Sequence, residues 1–284
     1  MKRWFSAVIA VGVVAIAPQA LAQTRIEVGG EDPVQETLQS GNVRVDVNYQ
    51  PGEDAWDGDL DYEIFYNDNS WVDTTSEFSV FGAIALQDLD SDGNAEVIVE
   101  TFSGGAHCCT THQIYSWAGD GFSVATSEMR DGGGGVFEDL NGDGKSEFVA
   151  FDNNFLYAFS SYAGSYPPSQ IFTFENGSLV ETTRQFSDHL RSQAWEMYQA
   201  IERSEAEDYE VNGILAGYVA QKILLGEYEE GWNFMLARYD RDYDWGLDIY
   251  DDQGEVVGRY PDFPSALRAF LIDTGYLSPN GEPL

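Results

Sequence analysis

Basic residues are scarce in this chain of 284 residues, which has 14 lysines and arginines against 49 aspartates and glutamates and a formal net charge of −35. Affinity for nucleic acid comes from basic side chains that neutralise phosphates, so this balance excludes nucleic acid as a partner. Anionic membrane surfaces repel such a chain for the same reason. Hydrophobic residues make up 43% and aromatic residues 14%, which predicts a folded core rather than a disordered acidic segment.

Long apolar runs are absent as well. The longest, Ala7–Ala17, is too short to span a bilayer as a helix, so we expect no membrane insertion. Lys2 and Arg3 precede this run, and Ala20–Ala22 supplies the small residues of a cleavage site. The pattern predicts a secretory signal peptide over residues 1–22, cleavage after Ala22, and a periplasmic or secreted protein.

Motifs of catalysis are missing too. The sequence has no Gly-x-Ser-x-Gly elbow and no His-Glu-x-x-His, and Gly132–Gly135 lacks the Lys-Ser/Thr of a phosphate-binding loop. Acidic pairs are so numerous that no single pair indicates a glycosidase dyad. The sequence assigns no catalytic residue and favours a protein that is not an enzyme.

Only two cysteines are present, and Cys108 and Cys109 are adjacent. Paired cysteines in an exported protein favour a disulfide. A bond between neighbours is tight, because their Cα atoms lie about 3.8 Å apart across a trans peptide, below the usual range of about 4.4–6.8 Å. Three interpretations stay open: a vicinal disulfide, which we adopt as the prediction, two packed thiols, or a thiolate–imidazole metal site with His107 or His112.

Two short acidic segments carry the most specific pattern in the chain. Asp88–Glu96 and Asp139–Glu147 each place oxygen side chains at relative positions 1, 3, 5 and 9 and a glycine at position 6, and position 7 can offer its carbonyl. Ca²⁺, which takes about six to eight oxygen ligands, is therefore the predicted cofactor, and two Asx-rich turns without an ion are the alternative. The predicted ligands are Asp88, Asp90, Asp92, Asn94 and Glu96 in the first loop and Asp139, Asn141, Asp143, Lys145 and Glu147 in the second.

These loops differ from EF-hands, which need a bidentate glutamate at position 12 and a following helix. Position 12 is Val99 in the first copy and Ala150 in the second, each within a short β-prone run. A loop of this kind resembles the FG-GAP (VCBS-type) repeats of secreted and cell-surface proteins, where Asp-x-Asp-x-Asp-Gly-x-x-Asp/Glu precedes a strand of a β-propeller blade and binds Ca²⁺. The resemblance covers roughly residues 75–160. Asn141 departs from the acidic pattern, which predicts a weaker second site.

Strand signals continue from Asn42 to about Val180. Val43–Tyr49 alternates in polarity as a half-buried strand does, and Phe155–Phe159 is another predicted strand. After Thr183 the apolar residues recur at helical spacing, interrupted by one predicted hairpin. We predict a mainly β fold with an α-helical C-terminal part, in which blade-like antiparallel sheets of an incomplete β-propeller or sandwich precede a small α+β subdomain.

The predicted organisation has four parts. They are a signal peptide (1–22), an N-terminal arm (23–41), a β-domain with both calcium loops (42–183) and a mainly helical C-terminal domain (184–284). Within the last part, helices are predicted over residues 188–202, 211–225 and 229–238 and after Pro264.

Gly104–Cys109, the calcium-type loops on either side of it and Tyr157–Gly164 are together similar to a group of uncharacterised exported bacterial proteins with FG-GAP/VCBS-type repeats. The resemblance implies an envelope location and calcium loops, and it supplies no reaction. We expect an exported calcium-binding module for binding or adhesion in the cell envelope, where Tyr157, Tyr162 and Tyr166 would contact a carbohydrate, peptide or protein. The alternative is an envelope enzyme, redox-active through the cysteine pair or hydrolytic through an acidic pair.

Overall fold

The computed structural model describes residues 24–53, 58–78 and 81–284 of the chain. The predicted signal peptide, residues 1–22, lies outside the described residues. The described chain is mainly β, with several antiparallel sheets of which none closes into a barrel, and its C-terminal part carries the α-helices. No helix in the described residues has both the length and the apolar character needed to cross a membrane.

The strands of the described residues lie mostly in the part of the chain that precedes the α-helices. In chain order they are β1 (Thr24–Gly29), β2 (Val34–Ser40), β3 (Val43–Pro51), β4 (Gly58–Tyr66), β5 (Asn69–Phe78), β6 (Phe81–Gln87), β7 (Glu96–Phe102), β8 (Cys108–Trp117), β9 (Phe122–Thr126), β10 (Arg130–Asp131), β11 (Val136–Glu138), β12 (Glu147–Phe151), β13 (Ser169–Glu175), β14 (Ser178–Glu181), β15 (Asp248–Tyr250) and β16 (Val256–Arg259).

Three antiparallel sheets contain the strands up to β14. The N-terminal sheet has the order β2-β3-β4-β5, and the third sheet has the order β11-β12-β13-β14. The central sheet has the order β1-β6-β7-β8-β10, with β9 also paired to β8. Most strands therefore pair with their neighbours in sequence, which is the blade-like arrangement that the sequence predicts.

The central sheet is apolar on both faces and lies between the other two sheets. Val97 and Val99 of β7 belong to a buried cluster with Val45 of the N-terminal sheet. Ile98 points to the opposite face and packs in a second cluster with Phe174 of the third sheet. A strand that is covered on both faces is a continuous apolar run, and this explains the sequence of β7.

Within residues 23–41, the predicted N-terminal arm, the structure describes two strands that are paired with later strands. β1 pairs along its length with β6, and β2 pairs along its length with β3. Val28 of β1 and Leu38 of β2 are buried in the cluster between the first two sheets. Few apolar side chains are enough here, because the neighbouring strands satisfy the backbone hydrogen bonds of both segments.

The C-terminal part contains four α-helices and the β15–β16 hairpin. The helices are α1 (Ser187–Ala206), α2 (Asn212–Leu224), α3 (Tyr228–Arg238) and α4 (Phe263–Asp273). α2 is buried along almost its whole length, since it contacts each of the other three helices. On α1, Leu190, Met197 and Ile201 form the buried face, whereas Trp195 is 58% exposed.

The predicted strand over Phe155–Phe159 is wrong. Asn153–Phe155 is a turn of 3₁₀ helix, whose start is capped by Asp152 because its side chain accepts the backbone N–H of Asn154 at 3.0 Å. Phe155 and Phe159 are buried in the helical core of the C-terminal part. The apolar character of this segment therefore reflects packing against helices and not membership of a sheet.

Candidate metal centre

The first acidic loop connects β6 to β7, and its starting residue ties the loop to itself. The Asp88 carboxylate accepts the backbone N–H of Asp92 at 3.2 Å and the N–H of Gly93 at 3.0 Å. Gly93 has φ +92°, a conformation that a side chain would strain. Each carboxylate oxygen has further lone pairs, so these hydrogen bonds leave Asp88 able to bind a cation.

Glu96 is the first residue of β7 and is buried, with 1% of its surface exposed. Its carboxylate accepts hydrogen bonds from the backbone N–H of Leu89 at 2.7 Å and the hydroxyl of Ser116 at 2.9 Å. Burial raises the pKa of Glu96 to about 7, although the two hydrogen bonds lower it. The negative charges of Asp90 and Asp88 add to the rise.

Asp88, Asp90 and Glu96 form the only group of three or more potential metal-ligating side chains in the described part of the chain. Each offers one carboxylate oxygen, and these oxygens lie within 4.8 Å of one another. Ca²⁺ binds oxygen at about 2.3–2.6 Å, so two ligands on opposite sides of one ion are about 5 Å apart. The residues present therefore fit a Ca²⁺ ion.

The pKa of Asp90 is raised as well. Burial raises its pKa, and the neighbouring carboxylate of Asp92 raises it further. Asp92 itself is not part of the group of three. Its carboxylate accepts the backbone N–H of Asn94 at 2.6 Å, and the Asn94 side-chain oxygen accepts the hydroxyl of Tyr66 at 3.1 Å. Of the predicted side-chain ligands, the structure thus brings together Asp88, Asp90 and Glu96.

The second loop connects β11 to β12 and repeats the contacts of the first. The Asp139 carboxylate accepts the N–H groups of Asp143 at 3.2 Å and Gly144 at 2.9 Å. The Glu147 carboxylate accepts the N–H of Leu140 at 3.0 Å, as Glu96 accepts that of Leu89. Two segments 51 positions apart therefore fold by the same pattern of side-chain to backbone bonds.

The second loop is more exposed and less crowded with carboxylates. Asp139, Asn141, Asp143 and Lys145 are all exposed, and the Asn141 amide nitrogen donates to the Asp143 carboxylate at 3.1 Å. Burial opposes ionisation of Asp139, but the backbone N–H groups around it together outweigh burial and lower its pKa.

At the strand end of the second loop, the pKa of the carboxyl group is raised instead of lowered. Burial raises the pKa of Glu147, and the charges of Asp143 and Asp139 add to the effect. Lys145 supplies its backbone N–H to the Asp143 carboxylate at 2.9 Å, and its predicted contribution to a metal is its carbonyl. The loop thus keeps the shape of the first with one carboxylate fewer, and within the described residues its acidic side chains do not form a group of three potential ligands.

The two loops touch each other, a contact that the sequence analysis did not foresee. The backbone N–H of Ser146 donates to the carbonyl of Leu89 at 2.9 Å, and Gln87 donates to the Ser146 hydroxyl at 2.8 Å. The Ser91 hydroxyl donates to the carbonyl of Gly144 at 2.5 Å. These hydrogen bonds hold the two loops against each other.

The cysteine pair begins β8. The peptide bond between Cys108 and Cys109 is cis, and their Cα atoms lie 3.0 Å apart. The backbone N–H of Cys109 donates to the Ser103 hydroxyl at 2.7 Å, which holds the loop closed. His107 is exposed, whereas His112 is buried with its Nε2 3.4 Å from the Glu100 carboxylate. The one group of potential metal ligands in the described residues contains none of these cysteines or histidines, which weakens the thiolate–imidazole interpretation.

Comparison with known proteins identifies relatives of the chain. A family model described as the sll0997 C-terminal domain matches residues 190–275. The probable thylakoid lumen protein sll0997 of Synechocystis sp. (strain ATCC 27184 / PCC 6803 / Kazusa) is 36% identical over 254 residues, which cover 84% of this chain and 75% of that protein. The uncharacterized protein y4bJ of Sinorhizobium fredii (strain NBRC 101917 / NGR234) is 34% identical over 194 residues, which cover 65% of this chain and 30% of that protein. No solved structure matches.

Proposed function

The chain belongs to the family of the probable thylakoid lumen protein sll0997, and from this premise we propose that it is an exported, calcium-stabilised module for binding or adhesion in the cell envelope. A thylakoid lumen is reached only by crossing a membrane, so the name of the relative supports export. The basic start, apolar run and small residues of positions 1–22 support the same periplasmic or secreted location.

The single observation that carries the calcium proposal is the buried carboxylate of Glu96 beside Asp88 and Asp90. Its two hydrogen-bond donors are uncharged, and the two nearest charges are negative. Holding a carboxylate in this setting costs free energy unless it is protonated or paired with a cation. Ca²⁺ would supply the missing positive charge, and its flexible oxygen coordination suits a site of carboxylates and carbonyls.

The repeated contacts of the two loops support the proposed FG-GAP/VCBS-type character. In both copies the first aspartate binds the turn and the last glutamate, at the start of a strand, binds the second residue of the loop. We assign Asp88, Asp90, Asp92, Asn94 and Glu96 to the stronger site and Asp139, Asn141, Asp143, Lys145 and Glu147 to the weaker one. In an oxidising compartment we further assign a disulfide to Cys108 and Cys109.

Thermal melts with 10 mM CaCl₂ and with chelator test the calcium proposal. We expect calcium to raise the Tm of the wild type, and Asp90→Asn to remove most of that rise because it takes a carboxylate out of the group of three. Glu175→Gln, at an exposed position of β13, is the matched control and should keep the full rise. A wild-type melt that calcium leaves unchanged would overturn the proposal.

A further inference from the structure

Three features that are separate in the sequence meet at one surface. The ring of His107, next to the cysteine pair, stacks on the ring of Tyr162 with centroids 4.1 Å apart and an angle of 14°. The backbone N–H of Gly132, from the glycine-rich turn, donates to the carbonyl of His107 at 2.8 Å. The Tyr162 hydroxyl donates to the Asp131 carboxylate at 3.1 Å. The cysteine loop, the glycine turn and the aromatic segment thus form one structure.

The C-terminal part adds a fourth element to this surface. The indole N–H of Trp245 donates to the carbonyl of Tyr157 at 2.7 Å, and the Tyr157 and Tyr162 rings lie 5.6 Å apart. Tyr157 has φ +61°, a conformation that is uncommon for a residue with a bulky side chain. The Ser165 hydroxyl accepts the Tyr157 N–H at 3.1 Å and helps to hold this conformation. We call His107, Tyr157, Tyr162 and Trp245 the ring surface.

The ring surface remains accessible although its members are held in place. Tyr157 is 47% exposed and Trp245 is 43% exposed, and His107 is exposed as well. Aromatic side chains with fixed orientation offer large contact area at little cost in conformational entropy, which is why they dominate recognition surfaces. The surface also lies where the β part and the helical part meet, and ligands commonly bind at such junctions.

The charges beside the rings favour a neutral ligand. Asp131 already accepts the Tyr162 hydroxyl and the backbone N–H of Gly132. Asp244, next to Trp245, is paired with Arg259 at 2.9 Å. A neutral ligand would leave both contacts intact, whereas a basic peptide would compete with Arg259 for Asp244. An anionic ligand would be repelled by the formal net charge of −35.

We propose that the ring surface binds a neutral saccharide built of β-linked pyranose rings. Equatorial substituents leave the two faces of such a sugar lined by C–H bonds, which pack against the negative face of an aromatic ring. The hydroxyl groups at the sugar edge can bond to the polar groups around the rings. The inference rests on the proposed binding function, which it narrows to a carbohydrate, and it does not depend on occupation of the calcium loops.

Titration of the full chain with cellohexaose and with fully N-acetylated chitohexaose, both neutral, followed by calorimetry in the presence of CaCl₂, tests this assignment. We expect the wild type to bind at least one of the two, and Tyr157→Ala and Trp245→Ala each to weaken binding by about tenfold or more. Trp245→Phe keeps a ring and should retain more affinity than Trp245→Ala. Trp195→Ala, which removes an exposed tryptophan on α1, is the matched control and should bind as the wild type does.

The outcomes separate this inference from the calcium proposal. Thermal melts with calcium show whether each variant is folded. If either Tyr157→Ala or Trp245→Ala fails to fold, the other variant still tests the ring surface. Failure of the wild type to bind either saccharide would overturn the inference, even where calcium raises the Tm. An equal loss of saccharide affinity in Trp195→Ala would also overturn the inference. So would binding of poly-lysine that Tyr157→Ala and Trp245→Ala abolish, because that result would assign the surface to a basic peptide.

Discussion

Titration of Glu96 should make the metal-free protein less stable as the pH rises. The pKa of this buried carboxyl is raised from 4.5 to about 7 in the folded protein, chiefly by burial. The folded state therefore holds the proton more tightly than the unfolded chain does. The contribution to stability is complete below about pH 4.5 and is lost as the pH rises through about 7.

The change in the free energy of unfolding follows from the rise in the pKa of Glu96. Each unit of pKa corresponds to about 1.4 kcal/mol, so the free energy of unfolding should fall by about 3 kcal/mol between pH 4.5 and pH 8 on account of Glu96. Calcium should cancel this loss at pH 8, because a divalent cation replaces the proton as the positive partner. Glu96→Gln keeps the shape of the side chain and removes its charge, so the variant should lose both the pH dependence and most of the calcium response.

Urea denaturation of dialysed, metal-free protein at pH 5, 6, 7 and 8 measures the effect, with and without added CaCl₂. Repulsion among 49 acidic residues also grows with pH, so the informative quantity is the difference between the wild type and Glu96→Gln. Glu175→Gln makes the same change of charge at an exposed site and should follow the wild type. The reasoning is refuted if wild type and Glu96→Gln fall in parallel, or if calcium stabilises both equally.

Three further predictions follow from the loops and the cysteine pair. Asn141→Asp adds the carboxylate that the first loop has, so it should tighten calcium binding at the second loop by about tenfold, which a calcium titration measures. The added negative charge should also slightly destabilise the metal-free protein, which a thermal melt with chelator measures. Gly93→Ala, at φ +92°, should cost about 1–2 kcal/mol in urea denaturation, whereas Gly121→Ala, with open space around it and no positive φ, should stay within about 0.5 kcal/mol of the wild type. Replacing Cys108 and Cys109 together by serine should change the free energy of unfolding by less than about 1 kcal/mol, since a bond between neighbours closes almost no loop, and thiol labelling of the wild type should detect two thiols only after reduction.

Local patterns predicted much of the architecture. The apolar spacing predicted a helix over residues 211–225, and the structure has α2 at Asn212–Leu224. The repeated acidic spacing predicted two loops that each lead into a strand, and both loops share the same hydrogen bonds. These features depend on neighbouring residues, whose side chains and backbone interact whatever the rest of the chain does.

Features that depend on distant residues were not predictable in the same way. β1 is held by its pairing with β6, which follows it by more than 50 residues, and the alternation of its own sequence covers only Arg25–Val28. Phe155 and Phe159 belong to a short apolar run that is typical of a buried strand, but helices that come later in the chain bury them. The contact between the loops and the stack of His107 on Tyr162 likewise join segments that have no common pattern.

Calorimetric titration of the metal-free protein with CaCl₂ at about pH 7.5 tests the central claim most directly. We expect saturable binding at two sites, with Kd values of about 10⁻⁴–10⁻³ M and the tighter one lost in Asp90→Asn. At about 100 times its Kd, calcium should add roughly 2.7 kcal/mol per site to the free energy of unfolding. Absence of saturable binding in the millimolar range, or an equal response to MgCl₂, would contradict this claim.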